Sequence, residues 1–128
     1  MQKTILIAVA GLVGTLLRYW FSGYLAKQHG EAFPWGTIVV NLIGCLLTGA
    51  VFFVTEERLL LSPTVRTVIL IGLLGGFTTF SSYGLQTFTL LRDGAYALAL
   101  VNVVVSNTLG VFMVWLGYVL GKVSSFWL

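Results

Sequence analysis

Charge in this chain is confined to short breaks, and the intervals between those breaks decide what it can fold into. Charge-free stretches run from Thr4 to Leu17, Ala32 to Thr55, Thr67 to Leu91 and Gly94 to Gly121, lengths of 14, 24, 25 and 28 residues. A helix of roughly 20 apolar residues spans a bilayer, so the last three stretches suffice as they stand. The first reaches that length by continuing through Arg18 into Tyr19, Trp20 and Phe21 as far as Ala26. A cleaved signal peptide with Lys3 at its charged end is the alternative, but the apolar run meets Arg18, Tyr19 and Trp20 where a small-x-small cleavage site would stand. Composition agrees: 58% of residues are hydrophobic and 9% charged, and the mean hydropathy is +0.99. A water-soluble fold is excluded. The expected architecture is all-α and integral to the membrane, one domain of four transmembrane helices over residues 1–128.

The breaks carry matching punctuation. Lys27 to Glu31, Glu56 to Arg58 and Arg92 to Gly94 make short loops. Pro34 is expected as a first helical residue, and Ser62 before Pro63 as an N-cap followed by proline. Trp20, Trp35 and Trp127 fall near span ends as interfacial anchors, whereas Trp115 lies mid-span and is expected to pack. Four spans place Lys3, Arg58, Arg66 and Lys122 on one side and Lys27 and Arg92 on the other, with Arg18 leaning toward the second. That small imbalance gives only a slight preference for a cytoplasmic amino end and is compatible with insertion both ways. No repeat relates the two halves, so any symmetry must come from association of subunits.

Enzyme chemistry is excluded. His29 and Cys45 are single, and the four acids Glu31, Glu56, Glu57 and Asp93 all fall in breaks, so no acid/base or metal constellation forms. The seven Lys and Arg are scattered without a basic stripe, which excludes nucleic acid as a partner.

What remains is a set of polar groups inside the spans. From Gly72 to Ser82 the chain reads Gly-Leu-Leu-Gly-Gly-Phe-Thr-Thr-Phe-Ser-Ser. Adjacent Gly75 and Gly76 lower helix propensity, and Thr78, Thr79, Ser81 and Ser82 offer hydroxyls to backbone groups that a break would free. A break in the third span is therefore expected. Close helix contact is the bland alternative. Freed carbonyls could hold a cation and freed amides an anion. Asn41 lies among Val39, Val40, Leu42 and Ile43, so its amide needs a protein partner or a wet path. Asn102 and Ser106 share a face of span four, whereas Asn107 is about 100 degrees round from Ser106. Each alone reads as interhelical glue worth about 0.6 kcal/mol. Their occurrence on three helices favours a path for a small anion. Arg18 either snorkels or sits as a fixed positive charge at a vestibule. Phe80 and Tyr83, three residues apart, can present ring edges of partial positive charge.

The run Gly75-Gly76-Phe77-Thr78-Thr79-Phe80-Ser81-Ser82-Tyr83, preceded by Gly36-Thr37-Ile38-Val39-Val40-Asn41-Leu42 and by Gly14 through Arg18-Tyr19, resembles the CrcB/Fluc fluoride channels across essentially the whole chain. The resemblance implies an antiparallel dual-topology homodimer, multi-pass in the inner (plasma) membrane, with two narrow pores selective for fluoride over chloride and passive export of fluoride. It further implies that Gly75 and Thr78 offer backbone carbonyls to a structural sodium ion at the dimer centre. Asn41 would be the pore amide, Phe80 the first of the family's paired phenylalanine rings, Arg18 the charge at the aqueous approach and Ser106 the start of a hydroxyl track. The chain departs from the pattern at Tyr83, where a second phenylalanine is expected, and at Gln86, where an acid is common. Gly110 and Val114 stand where a serine and a threonine are expected. The family includes heterodimers, so a related partner chain could supply what this one lacks.

Two other functions compete. A small multidrug exporter needs an ionisable acid in the membrane, and this chain has none. A non-conducting or half-pore subunit of a heterodimeric membrane assembly would use the intramembrane polar residues for packing only.

Overall fold

A computed structural model of the chain describes residues 1–124; Trp127, expected as an interfacial anchor, lies outside them. Four helical rods, each long and apolar enough to cross a membrane, run over Gln2–His29, Trp35–Glu57, Pro63–Arg92 and Tyr96–Ser124. The chain is thus an all-helical, multi-pass membrane protein. The first rod is a single helix, α1 (Gln2–His29), continuous through Arg18. The second is α2 (Trp35–Phe52), extended by a turn of i→i+5 winding over Phe53–Glu57. Pro34 is its N-cap, not its first residue: ψ of 54° puts Pro34 outside helical geometry, so the helix begins one position later. At the next start Ser62 accepts from the Val65 amide at 3.3 Å, and Pro63 opens α3 (Pro63–Thr67), the pairing that the sequence pattern predicts.

Above α3 the third rod changes character three times. Val68–Leu74 is wound with π hydrogen bonding, α4 (Gly75–Phe77) is one short turn, and α5 (Phe80–Arg92) resumes regular helix. Between α4 and α5 two residues are extended, Thr78 with φ −85° and ψ 159° and Thr79 with φ −151° and ψ 112°. The fourth rod is α6 (Tyr96–Ser124), a single helix.

Close approach of backbones sets the packing. A Cβ on Gly49 of α2 would overlap the Val114 carbonyl of α6, and one on Gly117 would overlap the Leu46 carbonyl of α2. The two helices therefore cross with main chain against main chain, as small residues permit in membranes. Trp115 is turned away from that crossing. It lies about 160 degrees round α6 from Gly117, on the outer face, 56% exposed and stacked on Phe112 at 5.5 Å between ring centroids. On the opposite flank α1 packs along the π-wound segment and α4. Gly14 there meets the Leu73 carbonyl and Gly76 meets Gly11.

The ends of the rods agree with an up-and-down path. Glu56 pairs with Arg66, and Tyr118 donates to Glu57 at 3.2 Å, joining the second loop to the end of α6. A cavity of about 510 Å³ at the other end gathers Gly30 to Phe33 of the first loop and Asp93 of the third.

Candidate functional site

The extended pair Thr78–Thr79 interrupts the i→i+4 ladder, and side chains take up several of the backbone groups it releases. The Thr79 amide donates to Asn41 Oδ1 at 2.8 Å, and Asn41 Nδ2 donates back to the Thr79 carbonyl at 3.0 Å. One side-chain amide thus pairs with both backbone groups of one residue, as a neighbouring strand would. This answers the need for a partner that an asparagine among Val39, Val40 and Leu42 creates. The Thr79 hydroxyl caps α5 by accepting from the Ser82 amide at 3.2 Å, and it donates to Ser82 Oγ at 2.9 Å. Arg18 Nε donates to the Gly76 carbonyl at 3.1 Å, and the Thr78 amide and hydroxyl both reach the Leu74 carbonyl at 2.9 Å.

Carbonyls also lose their helical partners at the interruption. In a continuous helix Gly75 would accept from the Thr79 amide and Thr78 from the Ser82 amide. Both amides are spent on side chains, the first on Asn41 and the second on Thr79 Oγ1. The Gly75 and Thr78 oxygens thereby lose the amide partners of a continuous helix, as does the Phe77 oxygen. Gly75 is exposed on this chain's surface.

Beside the interruption lies a cavity of about 270 Å³ lined by Asn41, Gly44, Cys45, Thr48, Thr78, Thr79, Phe80, Tyr83, Ser106 and Asn107. Four of the expected pore residues, Asn41, Phe80, Tyr83 and Ser106, meet there, together with Thr78. The Phe80 and Tyr83 rings stand 5.3 Å apart, tilted by 49°, and Phe80 is 80% exposed. Asn102 does not line the cavity. It is 1% exposed, donates to Thr87 Oγ1 at 2.8 Å, and accepts from Ser106 at 3.4 Å, which ties α6 to α5. Arg18 lines neither cavity and is engaged at the Gly76 carbonyl instead.

Asn107 is the residue that sequence reasoning passed over. Its rotation from Ser106 counted against it, but the cavity is wide enough to include both faces, and its Nδ2 reaches the Tyr83 hydroxyl at 3.1 Å. Thr48 and Cys45, one turn and one residue beyond Gly44, were missed because nothing separates a cavity-facing residue on an apolar helix from a packed one. Gly110 is buried, where an added Cβ would lie 3.7 Å from Cys45 Sγ. Gln86 lines the larger cavity, and its Oε1 is buried with no hydrogen-bond partner.

Fold and site together define a class: a helical membrane protein with an interrupted third rod and a small mixed polar and aromatic cavity beside the interruption. The family described as CrcB-like protein, Camphor Resistance (CrcB) matches residues 5–118. The chain is 42% identical over 122 residues to the fluoride-specific ion channel FluC of Nitrosococcus oceani, covering 95% of this chain and 98% of that one. It is 46% identical over 123 residues to the fluoride-specific ion channel FluC of Opitutus terrae, covering 93% and 92%. The protein of the same description from Solidesulfovibrio magneticus is 43% identical over 122 residues, covering 95% of this chain and 98% of that one. The chain belongs to the CrcB family.

Proposed function

We propose that the chain forms a fluoride-selective channel that lets fluoride leave the cell passively across the inner (plasma) membrane. Membership of a family whose relatives are named fluoride-specific channels supports the ion. One observation carries the assignment to a place: the Asn41 clamp on Thr79 at the edge of a cavity that also holds Phe80, Tyr83 and Ser106.

The donors fit a small, strongly hydrated anion. Asn41 spends one of its two N–H groups on Thr79, which leaves one for the cavity. The Ser106 hydroxyl is held only by a long 3.4 Å bond to Asn102 and can turn to an anion. The edges of Phe80 and Tyr83 add weak positive potential. Several weak contacts exchanged in sequence favour entry without trapping, which conduction requires. Arg18 adds a fixed positive charge near the interruption, raising the local concentration of anions.

The channel is read as an antiparallel homodimer with two pores. Support comes from the slight charge imbalance between the two ends and from the Gly75 and Thr78 carbonyls, whose helical amide partners are spent on side chains. Two carbonyls are too few for a cation shell, and a second copy related by a twofold axis would double them. Gly75 and Thr78 would then hold a sodium ion between the copies, where the ion supplies charge that ties the two interrupted rods together.

A second reading keeps the fold and changes the role. Gly110 is buried beside Cys45 of α2 and Val114 is apolar, so neither position offers a hydroxyl to continue the one at Ser106. This favours a half-pore subunit that needs a related partner chain. Separate Asn41→Ala and Phe80→Ala substitutions test the pore: loss of flux from a still-assembled dimer supports it, and loss of assembly with no selective loss of flux supports packing glue.

A further inference from the structure

Tyr83 is where this chain departs from the ring expected in its family, and its hydroxyl has a defined environment. The phenol oxygen lies 3.1 Å from Asn107 Nδ2. The same nitrogen lies 2.8 Å from the Val103 carbonyl oxygen, one turn back along α6. A carbonyl can only accept, so the Val103 contact fixes which end of the Asn107 amide is nitrogen and excludes the flipped orientation. The two N–H hydrogens of Asn107 are then assigned, one to Val103 and one to Tyr83. It follows that the phenol oxygen is an acceptor in this pair, and its own hydrogen must point elsewhere. No acceptor for that hydrogen is found among the described residues, and Tyr83 and Asn107 both line the cavity.

We propose that the Tyr83 hydroxyl is an anion ligand, donating its O–H to fluoride in the cavity, and that Asn107 is the positioning residue that keeps this O–H turned inward. The inference rests on the channel reading above and deepens it. A ring at this position offers only a weakly positive edge. A hydroxyl offers a hydrogen bond to a charged partner, and such bonds are the stronger kind. It faces the same space as Ser106 and the free N–H of Asn41, so an anion there gains a third polar contact. The hydroxyl thereby supplies part of what the apolar positions Gly110 and Val114 do not.

Fluoride release from liposomes, followed over a range of internal fluoride concentrations, tests this with the parent chain, Tyr83→Phe, Asn107→Ala and the double variant. Tyr83→Phe removes one oxygen and keeps both rings. It should raise the half-saturating fluoride concentration about tenfold, the size of one hydrogen bond to a charge, with maximal release within about twofold of the parent. Asn107→Ala should raise it about threefold alone and not at all on top of Tyr83→Phe, because its effect acts through the hydroxyl. An unchanged half-saturating concentration in Tyr83→Phe overturns the inference and leaves the channel standing. An added loss from Asn107→Ala in the double variant overturns the positioning role. Absence of fluoride release from the parent chain overturns the channel reading, and the inference falls with it.

Discussion

Asn41 has the largest effect of any single residue in this account, because removing it strands two backbone groups at once. Asn41→Ala leaves the Thr79 amide and carbonyl without their partners. Each stranded group costs about 1–3 kcal/mol, so the variant should unfold in detergent at a clearly lower temperature and lose at least about tenfold in fluoride flux. A variant with unchanged melting and unchanged flux would show that the clamp is dispensable. Arg18 is a subtler case. Its Nε, not a terminal nitrogen, holds the Gly76 carbonyl, and lysine has no equivalent of that branch-point donor. Arg18→Lys should therefore resemble Arg18→Gln in stability and the parent in the salt dependence of flux. Thermal melts and flux measured from low to high ionic strength separate the two roles, and identical salt dependence in parent and Arg18→Gln would remove the vestibule charge from the mechanism.

Among the elements, the junction between α4 and α5 depends on a glycine of another helix. A Cβ at Gly44 would overlap Thr78 Cγ2, and the β-branched threonine has no flexible end to move aside. Gly44→Ala should push Thr78 away from α2, costing about 1–3 kcal/mol as overpacking does, and reduce flux. Gly23→Ala is the control, since nothing lies within 4 Å of a Cβ there. Equal melting temperatures for the two variants would contradict the packing. The number and limits of the rods were legible in the sequence because charge is costly inside a bilayer, and the single charge that was bridged, Arg18, lies within one continuous helix. Less was legible in the third rod. Gly75 and Gly76 draw attention in the sequence, yet both stand in α4, because Gly76 serves contact with Gly11 of α1. The extended residues are the two threonines after them. The π winding of Val68–Leu74 left no mark in the sequence, since its residues are apolar whichever ladder they join. The polar stripe on α6 was read from helical spacing alone, which cannot tell which neighbour each face meets. Asn102 was turned to Thr87 and Asn107 to Tyr83 by α5, an element whose rotation about its own axis is set at the interruption.

At the scale of the whole molecule, the proposed second copy and the ion between the copies are tested together. If sodium joins the copies through Gly75 and Thr78, replacing internal and external sodium by a larger organic cation should weaken the dimer in detergent and slow fluoride flux together. Indifference of both to the exchange would remove the ion from the account. The near balance of charge between the two ends predicts that a tag on the amino end is found on both sides of the membrane, and a tag found on one side alone would favour a fixed orientation with a partner chain. The central claim is that this chain alone conducts fluoride. Its most direct test is fluoride efflux, followed with an ion-selective electrode, from liposomes containing only this polypeptide, with chloride efflux measured in parallel. The account predicts rapid release of fluoride with chloride retained. Retention of fluoride by liposomes holding folded, reconstituted protein would contradict it.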